Sequence, residues 1–336
     1  MKTKILTLLF SIASMFYLST NALAFDMLII DSQEGEPYKT IRESMLTELE
    51  SQGYAEGKNL NIKYWSLGNA EGRAKRAWLQ EQSKNYDVVF VNGTVATLNF
   101  KEFAYGNNKF KFVFGAVTDP VGVGVIDNFE SAPKANFTGV CYPVKVEERL
   151  RFIQKVMPNA KNIGLIYADM PQSHSYVKWV EAALKLDEFK DLKFHFRKVD
   201  FVKSEGGHKR MTLLAKKHVK ELDSKVDVFI SPNDQMGVQE PFAKMVYETA
   251  TKPLIGLGKK DVMQNWGATM SIYPSLEGAG NQIGKMIAKI LKGAEVKEII
   301  PQWPSFGVAF DLKKAKKLGF KIPADMVEKA GADVVR

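Results

Sequence analysis

The stretch Tyr86-Asp87-Val88-Val89-Phe90-Val91-Asn92-Gly93-Thr94 decides the fold. Its apolar, β-branched centre is too short for a helix and has no polar face, as in a strand buried on both sides of a parallel sheet. It stops at a polar turn containing glycine. Upstream, residues 70–84 read as a helix and Leu60-Asn61-Ile62-Lys63-Tyr64-Trp65 alternates as a strand. Before these, residues 37–52 place Ile41, Met45, Leu46 and Leu49 at helical spacing, with Pro37 suited to the first turn and Gly53 as the stop. Residues 26–31 form the opening strand. Downstream, residues 112–116 and 137–141 are further strands. Strands alternating with helices in this way build an α/β lobe around a parallel sheet.

A second series follows. Residues 146–157 are helical and end at Pro158. Strands are expected at 162–167, 192–199, 226–230 and 253–257, with helices at 174–186, 208–222 and 237–250 between them. The remaining pieces are a strand at 268–273, a helix at 275–291 closed by Gly293, an extended run at 301–310 and a helix at 311–318 capped by Asp311. They are too few for a third core. They must complete the two lobes, so the chain crosses between lobes more than once.

The 336 residues begin with Met1-Lys2-Thr3-Lys4, an apolar stretch, and Ala22-Leu23-Ala24 before Phe25. This is the layout of a secretory leader, residues 1–24, with an apolar core shorter than a spanning helix needs. The single cysteine, Cys141, is not at the cleavage point, so no lipid anchor is expected there and no internal disulfide forms. A protein that floats free outside the cytoplasm needs a second membrane to retain it, so the expected compartment is the periplasm. The formal net charge of +9 falls to +7 when Lys2 and Lys4 leave with the leader. The lysines are scattered along amphipathic stretches and no aromatic-interleaved basic cluster stands out, so no nucleic-acid partner is expected.

The order of several motifs resembles one family. They are Gly53-Tyr54-x-Glu56-Gly57-Lys58-Asn59-Leu60, Asn92-Gly93-Thr94-x-Ala96 and Thr118-Asp119-Pro120-Val121-Gly122-x-Gly124. Next come Asn136-x-Thr138-Gly139-Val140, Met157-Pro158-Asn159-Ala160-Lys161 and Ile290-Leu291-Lys292-Gly293. The last is Leu312-x-x-Ala315-x-x-Leu318-Gly319-Phe320-x-Ile322-Pro323. Together they resemble the substrate-binding proteins of ABC transporters, in the group that includes tryptophan- and tyrosine-binding members. The resemblance implies a periplasmic binding protein fold of type I, two Rossmann-like lobes joined by three crossovers and closing over a small molecule. The crossovers are expected near residues 140–144, 270–274 and 303–310. One lobe then comprises residues 25–141 with 274–303, and the other 142–273 with 304–336. The expected partners are an amino acid or related metabolite, possible aromatic character included, and an ABC permease in the inner membrane. A sensor receptor is the alternative partner, and a monomer is expected. Residues 130–135, and Tyr38 after Pro37, depart from the family's pattern, so the resemblance does not fix the ligand.

Ligands of parallel α/β sheets bind beyond the carboxyl ends of the strands, where helix starts offer N–H groups. In the first lobe this selects Ser32 and Tyr38 after the opening strand, and Asn92, Gly93 and Thr94 after the deciding strand. Thr118 and Asp119 follow the next one. Thr94 either helps hold an anionic head group or caps its helix; Asp119 either accepts from an ammonium or fixes the turn before Pro120. In the second lobe it selects Tyr167, Asn233, Asp234, Gly258 and Tyr273. Tyr167 and Tyr273 either face the cleft or pack within the protein. No enzyme is expected. His174, His195, His208 and His218 lack metal-ligand spacing, Cys141 has no evident partner, and neither a nucleophile elbow nor a phosphate loop occurs. No metal or cofactor is expected.

Overall fold

A computed structural model describes residues 24–336 except residue 205. The predicted leader lies outside the described residues apart from Ala24. The first half of the chain runs β1 (Phe25–Asp31), α1 (Tyr38–Ser51), β2 (Leu60–Ser66), α2 (Glu71–Glu81), β3 (Val88–Asn92), α3 (Thr94–Ala104), β4 (Phe112–Val117), α4 (Pro120–Val123) and β5 (Phe137–Cys141). The five strands form one parallel sheet in the order β2-β1-β3-β4-β5. Every residue of β3 is buried, the consequence of placing a strand that is apolar up to Asn92 at the sheet's centre. Ala74, Ala77, Ala96 and Phe100 of α2 and α3 cover one face, while Ile41, Met45 and Leu49 of α1 cover the other.

The chain then continues through α5 (Val146–Val156), β6 (Asn162–Ala168), α6 (Pro171–Ala183), β7 (Lys193–Val199), α7 (Gly207–Leu222), β8 (Val228–Ile230), α8 (Glu240–Thr249), β9 (Leu254–Gly256), α9 (Lys259–Met263) and β10 (Met270–Pro274). Next, α10 (Leu276–Leu291) leaves this sheet and packs Ile283, Met286 and Ile287 beside α1 of the first lobe. Its glycines permit that contact. A Cβ on Gly280 would lie 2.5 Å from the Ile41 carbonyl oxygen, and one on Gly284 2.7 Å from Glu48 Cβ. The chain returns as β11 (Phe306–Asp311), α11 (Leu312–Lys317), α12 (Ala324–Ala330) and β12 (Val334–Val335). The second sheet has the order β12-β11-β10-β9-β8-β6-β7.

The chain therefore passes between the sheets three times: after β5, after β10 and before β11. At the third passage Trp303 stacks on Phe129 of the first lobe, with centroids 4.2 Å apart, and meets Trp179 of the second edge-on at 5.9 Å. The last two strands depart from the parallel expectation. β11 pairs antiparallel with β10 because it enters from the passage side, and β12 runs parallel to β11. Asp311 caps α11 as expected, accepting from Lys314 N at 2.9 Å, and Ser275 caps α10, accepting from Gly278 N at 3.0 Å. The helix expected from residue 237 begins later, at Glu240, because Asp234 holds the Met236 and Gly237 N–H groups in a turn. No helix among the described residues is long and apolar enough to cross a membrane.

Candidate functional site

The carboxyl ends of β1, β3 and β4 bring the first-lobe candidates into one patch. Asp31 is fully buried and anchors it. Its carboxylate accepts from Asn92 Nδ2 at 3.0 Å and from the Tyr64 hydroxyl at 3.3 Å, and pairs with Arg42. Asn92 Nδ2 also donates to the Tyr38 carbonyl at 3.0 Å. A carboxylate only accepts, so these bonds fix the orientation of the Asn92 amide. Its Oδ1 is buried without a protein partner.

Gly93 follows with φ +104°, a conformation that glycine adopts readily. A Cβ there would fall 2.3 Å from Ser32 Oγ and 2.5 Å from Tyr38 Cε1. Ser32 is itself fully buried, and its hydroxyl accepts from Ala96 N at 3.0 Å. A residue from the end of β1 thus caps α3 across the sheet. The N–H groups of Thr94 and Val95 at the helix start have no intrahelical acceptor and are not taken by any described side chain. Thr94 does not cap its own helix; its hydroxyl accepts from Thr118 N at 3.4 Å. Burial raises the Tyr38 phenol pKa. Asp119 caps α4, accepting from Gly122 N at 2.7 Å through Oδ1.

The second-lobe candidates divide. Asn233 is buried with Nδ2 unpartnered, as is the hydroxyl of neighbouring Ser231. Gly258 and Tyr273 line a cavity of about 480 Å³ that reaches from Glu36, Pro37 and Thr40 of the first lobe to Lys260 and Gln264 of the second. Such a volume accommodates a small metabolite. The Tyr273 hydroxyl donates to Asp333, which with burial raises its pKa.

Two candidates make their contacts inside their own lobe. Asp234 accepts from Ala168 N (2.8 Å), Ser173 Oγ (3.0 Å), Met236 N (2.9 Å) and Gly237 N (2.9 Å). With both oxygens committed inside its lobe, it holds the β8 loop to β6 and α6 instead of offering a free carboxylate. Burial raises its pKa, while those four bonds oppose the rise. Tyr167 packs on its own lobe's core and meets the His174 ring edge-on at 6.4 Å.

Sequence reasoning placed Asp31 at a strand end without assigning it a role, and missed Asp261 and Arg149. Asp261 accepts from Leu257 N at 2.8 Å and Gly258 N at 3.0 Å, nesting against Gly256, where a Cβ would lie 2.5 Å from its Oδ2. Arg149 is 3% exposed, with Nε and Nη1 unpartnered. Its signal was present: Val146, Arg149, Leu150 and Ile153 share the buried face of α5. Among the described residues no group of three or more His, Cys, Asp or Glu could hold a metal ion.

Comparisons bear on this arrangement. The profile of the family described as ABC transporter substrate binding protein matches residues 28–334. The Tyrosine-binding protein of Clostridioides difficile (strain R20291) is 23% identical over 260 residues, covering 77% of this chain and 70% of that protein. The ligand-free, open structure of a substrate binding protein with adhesive properties from Clostridium difficile superposes with TM-score 0.75 at 19% identity, covering 93% of this chain and 98% of that one. An ABC domain from Streptococcus pneumonia in complex with L-Trp gives TM-score 0.67 at 21% identity, covering 93% of this chain and 100% of that one. The shared fold is the two-lobed periplasmic-binding architecture of type I.

Proposed function

This chain belongs to the ABC transporter substrate-binding protein family, and from that premise we propose that it captures an amino acid, aromatic in side chain, between its lobes and delivers it to a membrane permease. The observation that carries the reading is the unpartnered Oδ1 of Asn92, held by Asp31 beside the open start of α3. An α-amino acid presents an ammonium and a carboxylate on one carbon. The ammonium supplies the donor that Asn92 Oδ1 lacks. The carboxylate accepts from the Thr94 and Val95 N–H groups, where the helix dipole favours negative charge.

On the opposite edge, Asn233 Nδ2 and Ser231 supply the polar contacts, and Gly258 and Tyr273 shape the wall. Ligand that touches both edges stabilises a closed form, since only differential affinity shifts such an equilibrium. Residues 25–141 with 274–303 move as one body against 142–273 with 304–336, by bending at the three passages. The relatives named for tyrosine and bound to L-Trp support an aromatic side chain. The sequence leader and the family support action outside the cytoplasmic membrane, after cleavage behind Ala24.

Thermal unfolding with each of the twenty L-amino acids, followed by calorimetry, tests the proposal. Tryptophan or tyrosine at 100 times its Kd should stabilise the protein by about 2.7 kcal/mol, and small-angle scattering should show compaction. If no amino acid raises the unfolding temperature, the ligand class is wrong. If one binds without compaction, closure is wrong.

A further inference from the structure

We infer that Arg149 is the second lobe's receptor for the ligand's carboxylate, closing onto a group that the first lobe already holds at the start of α3. This rests on the two-lobed capture proposed above. It begins from a residue the fold itself does not explain. Arg149 lies on the apolar face of α5, is 3% exposed, and leaves Nε and Nη1 without partners. Three other arginines are paired, Arg42 with Asp31, Arg151 with Glu188 and Arg197 with Glu221.

Its place in the helix adds to the cost. Arg149 is in the first turns of α5, where the macrodipole is positive and disfavours a cation. Burial lowers its pKa, against the opposing fields of Tyr176, Asp261 and Tyr142, yet a guanidinium remains charged in proteins. An unpaired buried charge is strongly destabilising. Asp261 acts on it only from a distance: its Oδ2 is bound to the Leu257 and Gly258 N–H groups and it makes no ion pair with the guanidinium.

Position supplies the remaining link. α5 starts directly after the first interlobe passage, and Arg149, its fourth residue, stays close to that passage. Tyr142 and Gly258 line the interlobe cavity, and the fields of Tyr142 and Asp261 reach the guanidinium. The guanidinium is a planar fork of donors that matches a carboxylate in two-bond geometry. A carboxylate bound at Thr94 and Val95 and then met by Arg149 touches both lobes, the requirement for ligand-driven closure.

The test uses the full mature chain with Arg149→Met and Arg149→Lys, and L-tryptophan with its decarboxylated analogue tryptamine as probes. Without ligand, Arg149→Met should unfold at or above the wild-type temperature, since an unpaired charge leaves. Its affinity for L-tryptophan should fall at least about 100-fold, about 2.7 kcal/mol, while tryptamine stays within about twofold. Arg149→Lys should recover part of the loss. If Arg149→Met unfolds well below wild type and the tryptophan-to-tryptamine ratio is unchanged, Arg149 is structural and the inference is overturned. Should wild type bind neither probe, the amino-acid reading fails separately. Acetate, succinate and indole-3-propionate then test Arg149 alone: stabilisation lost in Arg149→Met supports the assignment, and equal or no stabilisation in both proteins overturns it.

Discussion

Replacing Asp234 by Asn keeps its volume and removes one of two anionic acceptors. Asp234 is 3% exposed, and its oxygens take four donors, three of them backbone N–H groups. With the new amide NH₂ turned toward α6, the Ser173 hydroxyl can rotate and accept. The Ala168 N–H cannot, so a buried donor is stranded. Turned the other way, the amide strands the Met236 and Gly237 N–H groups instead. A stranded buried donor costs about 1–3 kcal/mol, and loss of charge weakens the bonds that survive. Removing a charge that burial penalises, as the raised pKa of Asp234 records, offsets part of this. The net loss should be about 2–3 kcal/mol. At about 2–4 °C per kcal/mol for a lobe of this size, unfolding should occur about 4–12 °C lower. Ligand-free thermal and urea unfolding measure it. A loss below about 0.5 kcal/mol would refute the view that these bonds hold the lobe together. Weakened ligand affinity with unchanged stability would return Asp234 to the binding surface.

Gly93→Ala places a methyl 2.3 Å from Ser32 Oγ at a φ that alanine rarely adopts. We expect tryptophan affinity to drop at least about 30-fold and stability by about 1–3 kcal/mol; calorimetry showing affinity within threefold would mean that the Gly93 turn is not in contact range of ligand. Glu221 is held to a pKa of about 2, chiefly by its side-chain bonds to Arg197, with burial opposing. A carboxylate whose folded pKa lies below its unfolded value stabilises above about pH 4.5 and loses that contribution as pH falls toward about 2. Urea midpoints across this window should therefore slope less for Glu221→Gln than for wild type, and parallel slopes would remove Arg197–Glu221 as an acid-sensitive pair.

Much of the fold could be read because its signals are local. The unbroken apolar run before Asn92 requires burial on both faces, and the helices around it repeat at spacings of three and four. The cap signal at Asp311 is local too, and the structure uses it. The site was less legible because its logic acts across the chain. Ser32 serves Ala96, sixty-four residues away, and nothing near Ser32 announces that. Asp234 read as a cleft acceptor because it follows a strand end, but its four donors come from β6, α6 and its own loop. Arg149 was hidden in a helix whose period looked complete without it. Its charge on the buried face was visible, although only the packed structure shows that no carboxylate meets it.

The return of α10 to the first lobe has a consequence for synthesis. The apolar stripe of α1, Ile41 with Met45 and Leu49, is covered by residues that follow it by more than two hundred positions. A nascent chain that has emerged only as far as β5 carries all five strands of its first sheet and cannot cover one face of it. Such contacts, distant along the chain, form slowly. The first lobe thus cannot finish during synthesis of its own strands, and the unfinished chain keeps one apolar face uncovered until nearly all of it has been made.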